Sequence, residues 1–177
     1  MKKYLNLFLL VVLLLGSAGC KKKLTQFYID YDSEAVLPAT FVTALPFAVH
    51  TPATETNSSY EFENHDTRKD KIKSIHLKNL VISIQSPANT DFGFLSSIEV
   101  FIQSPHHDER KIAFKSDVAD NAGTSLTCDL TDIDLQSFVK DDSFQIRLRT
   151  VTDETIPEDI HLNIYTNFLV DAKLIGK

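Results

Sequence analysis

The chain has no tryptophan, one methionine, five glycines and two cysteines among its 177 residues. So few glycines leave no glycine-rich loop to cradle a phosphate, and neither G-x-S-x-G nor H-E-x-x-H occurs. The lack of tryptophan means that any aromatic platform for a sugar must come from tyrosine or phenylalanine. Helical periodicity is scarce throughout, which excludes a parallel α/β sheet with helices between its strands. Basic charge is not in excess either. With 18 Lys and Arg against 24 Asp and Glu, the net charge is −6. Such a surface repels nucleic acid, and no basic face interleaved with aromatics offsets it. The longest apolar run, Leu7 to Leu15, falls short of the roughly 20 residues that a membrane span requires.

What is present at the start of the chain is an export signal. Lys2 and Lys3 precede the apolar run, and Gly16-Ser17-Ala18-Gly19 supplies a small-residue cleavage site. Ser17-Ala18-Gly19-Cys20 resembles the lipobox of bacterial lipoproteins, although Ser17 stands where that family usually carries leucine. The resemblance implies cleavage after residue 19 and acylation of Cys20. Each buried methylene of the lipid is worth about 0.8 kcal/mol, so more than one acyl chain gives a stable anchor. By the same resemblance, Lys21 after the cysteine points to the outer membrane. The basic tract Lys21-Lys22-Lys23, opposite in sign to an acidic export tract, favours its periplasmic face over surface exposure. Residues 1–19 are therefore read as the signal peptide, 20–24 as lipidated Cys and tether, and 25–177 as one domain. Removal of Lys2 and Lys3 takes the net charge to −8.

The domain is dominated by period-two alternation. Phe27, Ile29 and Tyr31 alternate with Tyr28, Asp30 and Asp32. Pro38 and Pro46 bracket a connection, and Phe47 to Thr51 forms a second strand. Thr54 to Ser58 reads as a loop, with a short strand beginning at Tyr60 and Phe62. The charged stretch from His65 to Lys73 reads as a solvated turn. In the strand from Ile75 to Ile84, apolar parity switches at Lys78-Asn79, which predicts a β-bulge. Further strands are read at Ile98–Gln103, Lys111–Lys115, Ser125–Leu130, Phe144–Arg149 and Ile160–Leu174, the last with a break placed at Asn167. Asp132–Val139 is the one helical segment expected, capped by Thr131 or Asp132. Eight or nine short strands with polar, proline-containing turns predict an all-β antiparallel sandwich.

Chemistry is sought in the loops. His106-His107-Asp108-Glu109 brings metal-binding residue types together, but neighbours on extended chain point apart, so a solvated turn and no metal are expected. Acidic pairs recur at Asp30/Asp32, Asp132/Asp134, Asp141/Asp142, Asp153/Glu154 and Glu158/Asp159, but Asp132-Ile133-Asp134 lacks the following glycine and distal glutamate of a calcium loop. With Cys20 acylated, Cys128 has no disulfide partner. Its alternation with Leu126 and Leu130 places it in the core. No cofactor is expected. Tyr28, Tyr60 and Tyr165 are the candidate platform for a small ligand. Phe92, Phe94 and Leu95 stand in a loop, where they either plug one end of the sandwich or, if exposed, contact a partner.

Ser74-Ile75-His76-Leu77 through Ile84, Phe94-Leu95-Ser96-Ser97-Ile98-Glu99-Val100, Asp132-Ile133-Asp134-Leu135 and the closing strand carry a wider resemblance. The span 72–174 looks like the domain of uncharacterised lipoproteins from Gram-negative bacteria. That implies an immunoglobulin-like sandwich and no functional residues. The expected function is a non-enzymatic, membrane-anchored envelope lipoprotein that binds or stabilises an envelope protein partner. A glycan- or lipid-binding module is the alternative, and a hydrolase with a cryptic carboxylate site the next. The anchor is directly testable: Cys20→Ala should move the protein from the membrane to the soluble fraction and abolish metabolic labelling with palmitate. Retention of label would refute lipidation at this residue.

Overall fold

Alternation becomes strand wherever one parity can be buried. In β1 (Gln26–Leu37), Ile29, Tyr31, Ser33, Ala35 and Leu37 point inward and the residues between them face solvent. The last strand, β10 (Ile160–Ala172), buries Ile160, Leu162, Ile164, Thr166, Phe168, Val170 and Ala172 in an unbroken period of two. The two pair antiparallel along the whole of β1, from Gln26 opposite Asp171 to Leu37 opposite Ile160. A computed structural model describes residues 25–173 and 175. The signal peptide, Cys20, Lys21–Lys23 and Leu174 lie outside the described residues.

Between these strands come β2 (Phe47–His50), β3 (Thr54–Glu55), α1 (Ser58–Asn64), β4 (Ile72–Ser86), β5 (Leu95–Ser104), β6 (His107–Lys115), β7 (Ser125–Thr127), β8 (Asp129–Leu130), α2 (Gln136–Val139) and β9 (Ser143–Thr152). One sheet has the order β1-β10-β4-β7 and the other β2-β9-β5-β6-β8, with β3 added to β9. Every strand pair is antiparallel. The expected antiparallel sandwich is what forms. Its connectivity refines the immunoglobulin-like order implied by resemblance. Apart from the β5–β6 hairpin, the β2–β3 step and the β8–β9 connection through α2, each connection between named strands crosses to the other sheet, as in a jelly roll. Ile82, Ile98, Ile102, Phe144 and Phe168 are among the fully buried side chains between the sheets.

The expected bulge is present in β4. Asn79 pairs with Asn167 and Leu77 with Phe168, so Lys78 is the extra residue. The break placed at Asn167 is corrected by the same register: β10 runs on without interruption, and the irregularity belongs to its partner. Ser125–Leu130 divides into β7 and β8 on different sheets, with buried Cys128 at the crossing. That division and β3 raise the strand number to ten among the described residues.

Three local readings are overturned. Tyr60 and Phe62 lie in a helix rather than a strand, because Ser58 and Phe62 four residues apart share its buried face while Tyr60 faces out. Thr54–Ser58 is not simply loop, since Thr54 and Glu55 pair with Phe144 and Ser143. The helix expected over 132–139 shortens to Gln136–Val139. Asp134 Oδ1 accepts from the backbone N–H of both Ile75 and Gln136, each at 3.0 Å, which ties the preceding residues to β4. Thr131 does not cap it; its hydroxyl donates to the Lys111 carbonyl at 2.9 Å.

Gly93 is required by space. A Cβ there would stand 2.4 Å from the Asp120 carbonyl oxygen, a backbone atom that cannot swing aside. Gly93→Ala should cost about 1–3 kcal/mol by overpacking. Phe168→Ala should cost about 3–5 kcal/mol by leaving a core cavity. Urea unfolding measures both, and a Gly93→Ala midpoint equal to wild type would refute the close approach.

Candidate functional site

The outer face of the four-stranded sheet carries two of the three candidate tyrosines. Tyr28 on β1 is 59% exposed. Tyr165 on β10 faces the same way. Tyr28 sits opposite Leu169 and Tyr165 opposite Asp32, so they are four register positions apart, about 13 Å at the rise of a strand. Asp32 accepts from Asn163 at 2.8 Å, and Asp30 accepts from Asn167. The Tyr165 hydroxyl bonds to Asp30, and this bond is the main cause of a phenol pKa above its ordinary value. Tyr60 is exposed on α1 and does not join this face.

The outer face of the six-stranded sheet is a closed charge network. Arg147 donates to Glu109 through Nε at 2.7 Å and Nη2 at 2.8 Å, and its guanidinium lies 4.1 Å from the centroid of the Phe101 ring. Glu99 accepts from Lys111 at 3.1 Å and Arg149 at 2.9 Å. The Lys111 hydrogen bond, ahead of that from Arg149, holds the Glu99 carboxyl below its ordinary pKa, and Arg147 does the same for Glu109.

His106-His107-Asp108-Glu109 is a turn only in part. The β5–β6 hairpin turns at Pro105-His106, and His107 onward is strand. His106 Nδ1 lies 3.3 Å from Asp141 Oδ1, and Ser104 Oγ donates to Asp141 Oδ2 at 2.6 Å. Burial opposes ionisation of Asp141, but the hydrogen bonds from Ser104 and His106 outweigh it and hold its pKa low. Among the described residues, no group of three or more His, Cys, Asp or Glu could hold a metal ion.

The aromatic loop resolves toward the core. Phe92 and Leu95 are fully buried and Phe94 nearly so. Phe92 N–H donates to the Gly123 carbonyl at 2.8 Å, and Asp153 N–H to the Phe94 carbonyl at 3.1 Å. These residues plug the end of the sandwich, and the partner contact suggested for Phe92, Phe94 and Leu95 is corrected accordingly.

A different loop presents apolar side chains to solvent. In the connection from Pro38 to Pro46, Phe41 is 83% exposed, Val42 53% and Leu45 61%. No residue of this stretch carries charge. Its base is pinned. Thr40 and Ile156 exchange backbone hydrogen bonds at 2.9 and 2.8 Å, Ala44 N–H donates to the Thr152 carbonyl at 2.7 Å, and Ala39 N–H to Asp159 Oδ1 at 2.8 Å. Ala44 takes φ of 60°, in the left-handed region, which turns the chain back toward β2. The result is a tip held out on a braced stem. The sequence signal for it was a nine-residue connection with no charge.

No family model and no curated protein matches the chain. Among solved structures, it is similar to CpGH89CBM32-5 from Clostridium perfringens, determined in complex with GalNAc-β-1,3-galactose. The identity is 11% and the TM-score 0.37, covering 81% of this chain and 96% of that one. CBM32-3 from a family 31 glycoside hydrolase of the same organism aligns at 11% identity and TM-score 0.33, covering 86% and 94%. The empty head of Turnip Yellow Mosaic Virus aligns at 12% identity and TM-score 0.26, covering 85% and 83%. Superpositions this loose carry nothing about ligand or activity to the present chain.

Cys128 is no nucleophile in this setting. Burial pushes its thiol up to about 12, against about 8.5 for a free thiol. In Cys20→Ala protein, iodoacetamide at pH 8.5 should leave the native chain unlabelled and modify one thiol in denaturant. Because the folded pKa is the higher, Cys128 contributes stability below the unfolded pKa and withdraws it as pH rises toward 12. Rapid native labelling would contradict this burial.

Proposed function

We propose that the chain is a non-enzymatic lipoprotein of a Gram-negative cell envelope, held by lipid on Cys20 at the periplasmic face of the outer membrane, and that it binds an envelope protein partner. The observation that supports this reading is the exposed tip of Phe41, Val42 and Leu45. Solvent-exposed phenylalanine is costly to keep. Burial of such a side chain is worth about 1.5–3 kcal/mol, a gain left unclaimed until a second surface covers it. The tip also stands at the right end. The described chain enters at Thr25, and β1 carries it about 40 Å, at the rise of a strand, before the loop begins. An anchor ahead of Thr25 therefore leaves the tip turned away from its own membrane. The connection back to Cys20 is five residues, too short to fold over the domain.

A second reading, a glycan module, is favoured by Tyr28 and Tyr165 with Asp30, Asp32 and Asn163 on one polar sheet face. A photo-cross-linking phenylalanine analogue at Thr43, compared with the same probe at exposed Lys78, separates the two in living cells. A protein adduct at 43, missing at 78 and lost with Phe41→Asp, is the expected outcome. Lipid adducts alone, or none, would overturn the protein-binding reading; binding of glycans that Tyr28→Ala abolishes would replace it.

A further inference from the structure

The far end of the sandwich is built from four connections, 38–46, 87–94, 116–124 and 153–159. Their backbones are tied together. Thr40 bridges to Ile156, Phe92 donates to Gly123, Asp153 donates to Phe94, and Val118 donates to Ser96 beside the loop 87–94. Read for charge, this end is singular. Asp91, Asp117 and Asp120, Asp153 and Glu154, Glu158 and Asp159 are all exposed there, and none of the four connections contains Lys, Arg or His. At the opposite end the signs are mixed, and ion pairs neutralise them: Arg68 and Lys71 with Asp70, Lys69 with Asp142, Lys73 with Asp171. The uncharged tip thus stands at one margin of a collar of one sign, beside the loop 153–159.

Resting on the protein-binding reading, we propose that this end docks a protein surface bearing an apolar pocket rimmed by lysine and arginine, with Phe41, Val42 and Leu45 entering the pocket and the collar carboxylates facing the rim. Charge complementarity selects this occupant. A bilayer is disfavoured, because anionic headgroups repel a collar that offers no cation. Nucleic acid is repelled for the same reason. A second copy of the chain offers a poor fit, since its ion-paired end has little free positive charge to present. Rim charges act chiefly on encounter rate and choice of partner, while buried apolar contact sets residence time. The collar and the tip therefore have separable effects.

The test uses full-length protein in cells with the probe at Thr43. Asp153→Lys, Glu154→Lys and Glu158→Lys together reverse the sign of loop 153–159, the part of the collar bonded to the tip loop, and spare Asp159, whose carboxylate holds the Ala39 N–H. The adduct should fall about tenfold, in the range by which electrostatic steering changes association. The isosteric Asn and Gln versions should fall in between, and they keep the test decisive if charge reversal disturbs folding. Glu61→Lys, Glu63→Lys and Asp132→Lys change the net charge equally at the other end and should leave the adduct unchanged. The cross-linked peptide should lie beside Lys or Arg. An adduct that survives reversal of loop 153–159 undiminished, or that maps to an uncharged surface, to lipid or to a second copy of the chain, overturns the proposal. In the first two of these outcomes the protein-binding reading stands. No wild-type adduct at all overturns both.

Discussion

The structure depends on β10. It is the strand that lies between β1 and β4, and its inward parity is maintained from Ile160 to Ala172 without a lapse. Apolar side chains from both sheets need one another to leave water, and the area they bury is the main source of stability in a sandwich. Because side chains alternate with a period of two, a slip of one residue in β10 would turn Phe168 and Val170 outward along with the rest. The register is therefore set by burial, and everything joined to β1 and β4 inherits its position. The bulge at Lys78 shows the constraint at work. β4 has one residue more than β10 over this stretch, and the excess is expelled as a single unpaired position, leaving Leu77 and Leu80 both inside.

The two ends of the sandwich are under a different rule. Connections between strands owe nothing to alternation and are free to carry function. One end is closed by Phe92, Phe94 and Leu95, which turn apolar loop residues into core. The stretch from Pro38 to Pro46 lies against the same end, and there the opposite happens: backbone hydrogen bonds to Thr152 and Ile156 brace the base while Phe41 stays outside. Two apolar loops with similar sequence character thus take opposite roles. The difference lies in what stands behind each. Gly93 allows the first to approach the Asp120 backbone closely, whereas the second is bonded through its base to the Thr152 and Ile156 backbones with Phe41, Val42 and Leu45 left outside.

Polar faces of the two sheets also diverge. On the six-stranded sheet, Arg147 and Arg149 satisfy Glu109 and Glu99, a mutual pairing of charges at a solvated surface with modest energetic weight. On the four-stranded sheet, Asp30 and Asp32 are met by amides and a phenol instead of cations. The first arrangement spends its charges internally. The second leaves negative charge on the face.

By itself, the sequence determined the all-β class, most strands, the bulge near Lys78 and the burial of Cys128, because these follow from period-two patterning, which is local and survives in one dimension. It did not reveal helix α1. Tyr60 and Phe62 alternate as a strand would, and only packing of Phe62 beneath Phe27 shows that the relevant spacing is the four residues from Ser58. Nor could it tell which apolar loop would be swallowed and which displayed, since exposure depends on the neighbours that strand order brings together. The single-signed collar is the clearest case. Its carboxylates are scattered over three connections from residue 91 to residue 159, and the tip belongs to a fourth. They become one surface only because antiparallel crossings between two sheets deliver those four loops to the same end.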